Sequence, residues 1–279
     1  MPIVTRFAPS PSGELHLGHA FSALFAAGEA AKGGGRFLVR IEDIDTSRCR
    51  DVYVAGLLED LAWLGLSWEQ PVRRQSDHWD DYGAALSRLD RMGLLYPCFC
   101  TRADIAREIA QAGGAPQGPD GPRYPGLCRS LSVAEREDRI AAGQPYALRI
   151  DMDKAMAMAG PLTWTDRREG VIRATPDLFG DVVLARKDVP ASYHLAVTVD
   201  DALQDVTLVT RGRDLFAATH IHRLLQALLE LPVPEWHHHR LLTDASGRRL
   251  AKRDRATSLS SLRRSGLGPD DVRAMIGPC

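Results

Sequence analysis

Apolar and polar positions divide the chain into short buried runs separated by glycine-rich or charged breaks. Ile3, Val4 and Phe7 predict a short buried strand. Over residues 20–31, Phe21, Leu24 and Phe25 recur at helical spacing among small residues, and Gly33-Gly34-Gly35 closes that helix. The run over residues 37–41 predicts a second strand, ending in Glu42-Asp43. Strand, small-residue loop, helix and strand make one βαβ unit, with parallel strands and a right-handed crossover expected.

Residues 52–64 form a helix with Val54, Leu57, Leu58, Leu61 and Leu64 inward, and Gln75-Ser76-Asp77 opens another striped by Trp79, Tyr82, Ala85, Leu86 and Leu89 up to Gly93. Residues 112–126 are rich in glycine and proline without a regular period and predict a long loop, followed by a polar helix over 132–142. Residues 146–150, 162–166 and 171–174 read as strands, the last two joined in a hairpin around Arg168-Glu169-Gly170. Residues 182–185, 195–199 and 206–209 predict three more strands, residues 217–229 a helix, and 259–262 and 272–276 two short helical stretches. The architecture expected is α/β, a parallel sheet interrupted by a mainly antiparallel insertion.

Composition narrows the picture by exclusion. With 35 basic and 36 acidic residues among 279, no global field points to nucleic acid, so an RNA ligand needs a local basic patch. Arg102, Arg107, Arg123 and Arg129 are such local charges. No apolar run approaches the ~18 residues of a membrane helix, and the start has no basic-then-apolar signal. Five cysteines, three of them between positions 98 and 128, do not suggest a disulfide framework. A soluble, cytoplasmic monomer that engages no membrane is the expectation.

Chemistry concentrates where the first strand turns into the first helix. In an open parallel sheet ligands sit beyond the carboxyl ends of the strands, and a helix N-terminus there welcomes phosphate. Gly13 and Gly18 let the backbone approach a ligand, and His16 and His19 flank Gly18 with imidazoles that can face one phosphate. Arg6 at the first strand end suits a carboxylate, Ser10 adds a hydroxyl, and Glu42 suits an ammonium or a structural ion pair. Cys98, Cys100 and Cys128 with Tyr124 offer three thiolates and a phenol, a donor set for tetrahedral zinc, the other reading being three unrelated cysteines. His237-His238-His239 alternates faces if extended and so makes a poor metal tract.

Residues 6–19, RFAPSPSGELHLGH, resemble the first signature of class I aminoacyl-tRNA synthetases in its glutamyl-tRNA synthetase version. Residues 40–46, RIEDIDT, resemble the next block of that family, and residues 192–201 and 207–214 resemble later ones. Arg248-Arg249-Leu250-Ala251-Lys252-Arg253 resembles the second signature with departures: Arg249 replaces its first lysine, Ala251 its serine and Arg253 its last serine. The resemblance implies a Rossmann-like class I synthetase catalytic domain in two halves (residues 1–97 and 191–240). It also implies an inserted zinc-containing α+β subdomain (98–190) and a second-signature loop with a short helical, stem-contact-like C-terminus (241–279). Arg6, Phe7, Ala8, Pro9, Ser10, Glu42, Tyr193 and Arg211 would bind L-glutamate. His16, Gly18, His19 and Lys252 would bind ATP, which comes with Mg²⁺, and His16, His19 and Lys252 would be catalytic.

Shortened relatives in the family carry Cys-x-Cys and Tyr-x-x-x-Cys, which makes Cys98, Cys100, Tyr124 and Cys128 structural zinc ligands here and leaves Cys49 and Cys279 as free thiols. Only 27 residues follow Lys252, fewer than the ~50 of an independent domain, so no anticodon-binding domain is expected there. By resemblance to the shortened branch, activated glutamate goes to queuosine at the wobble position of tRNA(Asp). Charging of a tRNA 3′ end, a small-molecule nucleotidylyltransferase and a non-catalytic RNA-binding or amino-acid-sensing paralogue are the alternatives.

Overall fold

Val4–Phe7, buried at every position, forms β1, and Leu17–Lys32 forms α1. Arg36–Ile41 (β2) pairs with β1 in parallel, Val4 opposite Arg36 and Phe7 opposite Val39. Gly35 is needed at the join, because a Cβ there would fall 1.8 Å from the Ile3 carbonyl oxygen. The computed structural model describes residues 2–112, 114–242 and 257–278. Lys252, Arg249 and the rest of the second signature lie outside the described residues, as does Cys279.

The chain continues through α2 (Asp51–Trp63), β3 (Arg73–Arg74), α3 (Trp79–Arg91), β4 (Leu95–Cys98), α4 (Arg102–Gln111), β5 (Gln117–Gly118), β6 (Gly121–Pro122) and α5 (Val133–Ala141). There follow β7 (Ala147–Ile150), α6 (Met152–Ala159), β8 (Thr163–Asp166), β9 (Gly170–Arg173), β10 (Val183–Ala185), α7 (Tyr193–Leu203) and β11 (Leu208–Gly212). The last elements are α8 (Ala218–Leu228), β12 (Glu235–His239), α9 (Leu259–Arg264) and α10 (Pro269–Ile276).

The order β1-β2-β3 is parallel throughout, and β11-β12-β8-β9 is parallel except for the edge hairpin. Thr207 N–H donates to the Val4 carbonyl at 3.0 Å, which ties the approach to β11 onto β1. Strands β10-β7-β4 form a separate antiparallel sheet, and β5-β6 a small hairpin within the long loop. The β8–β9 hairpin belongs to the 98–190 stretch in sequence but hydrogen-bonds to β12 in space.

Three expectations need correction. Residues 195–199 are helical, within α7, not a strand: Ser192 caps the helix by accepting from Leu195 N–H. The stretch is buried on every side over 195–201, so its unbroken apolar run carries no period that separates helix from strand. Asp200 and Asp201 lie buried within that helix. Two helices also lie where none was expected: α4, whose Thr101–Asp104 capping box heads a segment with no buried residue, and α6, capped by Asp151.

One core joins α1 to β2, α2, α9 and α10 through Phe21, Phe37, Leu57, Leu61, Leu259, Leu262, Val272 and Ile276. A second joins α3, α6, α7 and α8 to β7 and β10. Each fully buried Leu, Ile, Val or Phe contributes about 1.5–3 kcal/mol, so these two clusters carry much of the packing that fixes helices against strands.

Candidate active site

The carboxyl ends of β1, β2, β11 and β12 open on one cleft of about 1020 Å³, counting its open mouth. Residues 6–10, Glu42, Thr210–Gly212 and His239–Leu242 are the continuations of those four strands, and all line it. The N-terminus of α1 brings His16, Gly18, His19, Phe21 and Ser22, and the N-terminus of α7 brings Tyr193. Every glutamate-site and nucleotide-site residue expected from sequence, apart from Lys252, is thus brought to one place.

His16 is the N-cap of α1. Its Nδ1 accepts from Gly18 N–H at 3.1 Å, and His19 Nδ1 accepts from His16 N–H at 3.2 Å. A ring nitrogen that accepts carries no proton, so each neutral imidazole bears its hydrogen on Nε2. The rings lie 3.9 Å apart between centroids at the positive end of the helix dipole. Gly18 suits this arrangement, since a Cβ there would press on the His16 ring at 3.0 Å. Backbone at His16 pairs with Ser258, and Ser260 Oγ donates to Glu14 Oε1 at 2.7 Å, which fixes the chain beyond the second signature to the first.

The amino-acid end is a network of buried charges. Arg6 Nε donates to Asp201 Oδ1 at 2.9 Å and its Nη2 to Oδ2 at 3.2 Å, while Nη1 reaches the Thr210 carbonyl. Arg40 Nη1 donates to the same Asp201 Oδ1 at 2.8 Å, and Arg40 Nη2 to Glu42 Oε1 at 3.2 Å. Burial pushes the Glu42 carboxyl up, against the opposing pull of Arg40 and Arg6. Burial alone would also raise Asp201, but Arg6 and Arg40 hold it below the usual carboxylate range. Ser10 donates its hydroxyl to the Glu42 carbonyl at 2.6 Å, so it fixes the strand end as well as facing the cleft. Sequence reading did not find Asp201 or Arg40; their signal was two acids and an arginine inside apolar runs.

Arg211 Nη1 donates to the Tyr193 hydroxyl at 3.3 Å, which joins the two side chains from α7 and β11. The three consecutive histidines take three different partners: His237 Nδ1 meets Glu29, His238 Nδ1 meets Asp166, and His239 Nε2 meets Ser22 Oγ at 2.9 Å. The alternation of a strand separates them, as expected. Of the local arginines, Arg107 pairs with Asp104, and Arg129 with Asp153 and Asp181.

Apart from the cleft, Cys98, Cys100 and Cys128 bring their Sγ atoms within 4.8 Å of one another, a group that could hold a metal ion. Tyr124 Oη lies 3.4 Å from Cys98 Sγ and 3.5 Å from Cys100 Sγ. Four donors around a tetrahedral ion with Zn–S near ~2.3 Å sit roughly 3.8 Å apart, so the spacing fits. Backbone N–H groups back the donors: Cys128 N donates to Tyr124 Oη at 2.8 Å and Phe99 N to Cys128 Sγ at 3.4 Å. The Arg149 guanidinium lies 3.9 Å over the Tyr124 ring, and burial with the Cys100 and Cys98 contacts pushes the Tyr124 phenol up, so it would have to give up its proton to a cation. Burial pushes the Cys100 thiol up to about 11, so a cation would have to displace its proton.

An open sheet that gathers its parallel strand ends around one cleft defines the class: a ligand-binding α/β domain. The model of the tRNA synthetases class I (E and Q), catalytic domain, matches residues 2–276, and the chain belongs to that family. A glutamyl-Q tRNA(Asp) synthetase of Rhodobacter capsulatus is 51% identical over 287 residues, spanning 99% of this chain and 100% of that protein. One of Nocardia farcinica is 45% identical over 97% of this chain and 82% of its own length. A glutamate tRNA ligase from Elizabethkingia meningosepticum, crystallised in complex with its amino acid, is 25% identical with a TM-score of 0.83. That match covers 99% of this chain and 60% of the ligase, so the chain spans about three fifths of it. The fold is therefore the α/β catalytic domain of a class I tRNA synthetase, with mixed sheets. Among the described residues, no helix is long and apolar enough to cross a membrane.

Proposed function

We propose that this protein activates L-glutamate with ATP and transfers it to the queuosine base of tRNA(Asp). The observation that supports this most is the full-length match to a relative bearing that activity in its name. The geometry agrees with the first step. A carboxylate oxygen of glutamate attacks the α-phosphorus of ATP, forming the mixed anhydride as the bond to pyrophosphate breaks. His16 and His19 present Nε2–H donors, with the helix dipole behind them, where charge builds on the phosphates. ATP brings Mg²⁺ as its counterion in this class. Glu42 faces the cleft as the acceptor for the substrate ammonium, with Arg211, Tyr193 and the Arg6 to Ser10 strand end around the rest. No covalent nucleophile is needed; catalysis is positioning plus charge stabilisation. Cys98, Cys100, Cys128 and Tyr124 hold one structural Zn²⁺ that orders the segment between them, outside the chemistry.

Transfer of labelled glutamate to tRNA(Asp) prepared with and without queuosine tests the whole reading. Label on the queuosine-containing RNA alone is the expected result. Label on the 3′ end of tRNA(Glu) instead would mean a minimal aminoacylating synthetase, and no label on any RNA would sink both. Glu42→Ala should cut kcat/KM for glutamate in ATP–pyrophosphate exchange by about 100-fold, the loss of one buried charge contact, with KM for ATP within threefold. Unchanged glutamate activation would remove Glu42 from the pocket.

A further inference from the structure

Two buried arginines line the cleft, and their surroundings differ in kind. Arg6 has its own carboxylate in Asp201, while Arg211, 6% exposed at the end of β11, does not. Arg211 Nε donates to His238 Nε2 at 3.1 Å, Nη1 to His222 Nδ1 at 3.1 Å and to Tyr193 Oη, and Nη2 to Thr219 Oγ1 at 2.6 Å. Among the described residues, none of its hydrogen-bond acceptors is a carboxylate.

The charge state of these acceptors follows from the donor. A guanidinium only donates, so His238 Nε2 and His222 Nδ1 are unprotonated. His238 then carries its proton on Nδ1, which donates to Asp166 Oδ2 at 2.7 Å. His222 carries its proton on Nε2, which donates to His194 Nδ1 at 3.2 Å. All three rings are thereby neutral, each in one tautomer. Burial, helped by the charge of Arg211, holds His194 and His238 down at about 4 and His222 well below its ordinary value. Asp166 is kept from Arg211 by the His238 ring and takes backbone N–H donors from Arg168, Glu169 and His238.

A buried cation bonded only to neutral acceptors has no counterion in contact, only the more distant charge of Asp201, and burial at that cost is relieved when a ligand brings a carboxylate. We propose that His222 and His238 are specificity-determining positioning residues: by holding Arg211 without neutralising it, they select a substrate whose side chain brings the missing negative charge. This rests on the glutamate reading above. The α-carboxylate is the nucleophile and turns to ATP, so the charge left for Arg211 is that of the side-chain carboxylate. Glutamine has the same size and an acceptor oxygen but no charge, so it leaves the arginine uncompensated.

The sign of the charge at position 222 provides the test. His222→Asn keeps a neutral acceptor near the place of Nδ1, and His222→Asp puts a carboxylate there. In ATP–pyrophosphate exchange the Asn variant should keep KM for glutamate within threefold of wild type. The Asp variant should raise that KM about 30-fold, narrow the preference for glutamate over glutamine by a similar factor, and leave KM for ATP unchanged. Thr219→Asp, which offers a carboxylate to Nη2 from the other side, should reproduce the Asp result and serves if the first variant fails to fold. Equal effects of Asn and Asp, or unchanged glutamate KM in folded carboxylate variants, would overturn the inference while leaving the activity standing. Wild-type protein that exchanges nothing with glutamate would overturn the activity and the inference together.

Discussion

Asp201→Asn should lower stability by about 3–5 kcal/mol, the cost of leaving a buried ion-pair partner uncompensated, and lower Tm by on the order of 10 °C. The reason is its position between two arginines on different elements. One Asp201 oxygen receives both Arg6 Nε and Arg40 Nη1, and Arg40 in turn holds Glu42. Removing the charge leaves the buried Arg6 guanidinium without its carboxylate and takes one of three carboxylates from Arg40, which keeps Glu42 and Asp200, so both sides of the pocket loosen. The effect has a pH signature. Asp201 is held below its unfolded value, so its stabilisation is fully present above an unfolded pKa near ~4 and is lost as pH falls toward the folded value. The gap in Tm between wild type and Asn variant, read by calorimetry, should therefore be full at neutral pH and shrink below pH ~4. A stability loss of under ~1 kcal/mol at pH 7 would mean that water reaches the network and solvates what Asp201 leaves behind.

Removing metal from the cysteine cluster is the other large perturbation. A structural zinc site returns on the order of 10 kcal/mol of binding free energy, and in such sites that energy is also folding energy. The segment it would fasten has little core of its own: Tyr96, Cys98, Phe99 and Cys128 make a small buried cluster, and α4 and α5 bury no residue. Purified protein should carry one zinc per chain by atomic absorption. Cys98→Ser, Cys100→Ser or Cys128→Ser should lose it, and amide exchange over residues 98–131 should then speed up by orders of magnitude. Tyr124→Phe keeps three thiolates and should hold zinc more weakly without losing it. Wild type that carries no zinc as purified, or whose exchange over residues 98–131 is unchanged by chelation, would end the assignment.

How much of this was legible in the sequence depended on whether a segment shows water one face. Residues 3–41 alternate between fully buried strand, one-sided helix and small-residue loop, and the βαβ unit follows with bounds close to those seen. The 162–174 hairpin is likewise announced by its Arg-Glu-Gly turn. Residues 195–199 failed because α7 is enclosed, and a helix without a wet face looks like a buried strand. α4 failed for the opposite reason, being wet all round, although Thr101 and Asp104 spell out its cap. Site residues at strand ends were legible as unusual types beside glycine and proline. The supporting charges Arg40, Asp200 and Asp201 were not, because their partners lie more than a hundred residues away.

The packing of α1 against α9 and α10 has a consequence for how the protein is made. Phe21 and Leu262 share one core, yet about 240 residues separate them. A ribosome adding roughly 5–20 residues per second leaves the apolar face of α1 waiting on the order of 10–50 s for its last partners. The helix that opens with both signature histidines thus completes its packing only once α9 and α10 have been made. During that interval the side of α1 that α9 and α10 later cover stays open to solvent.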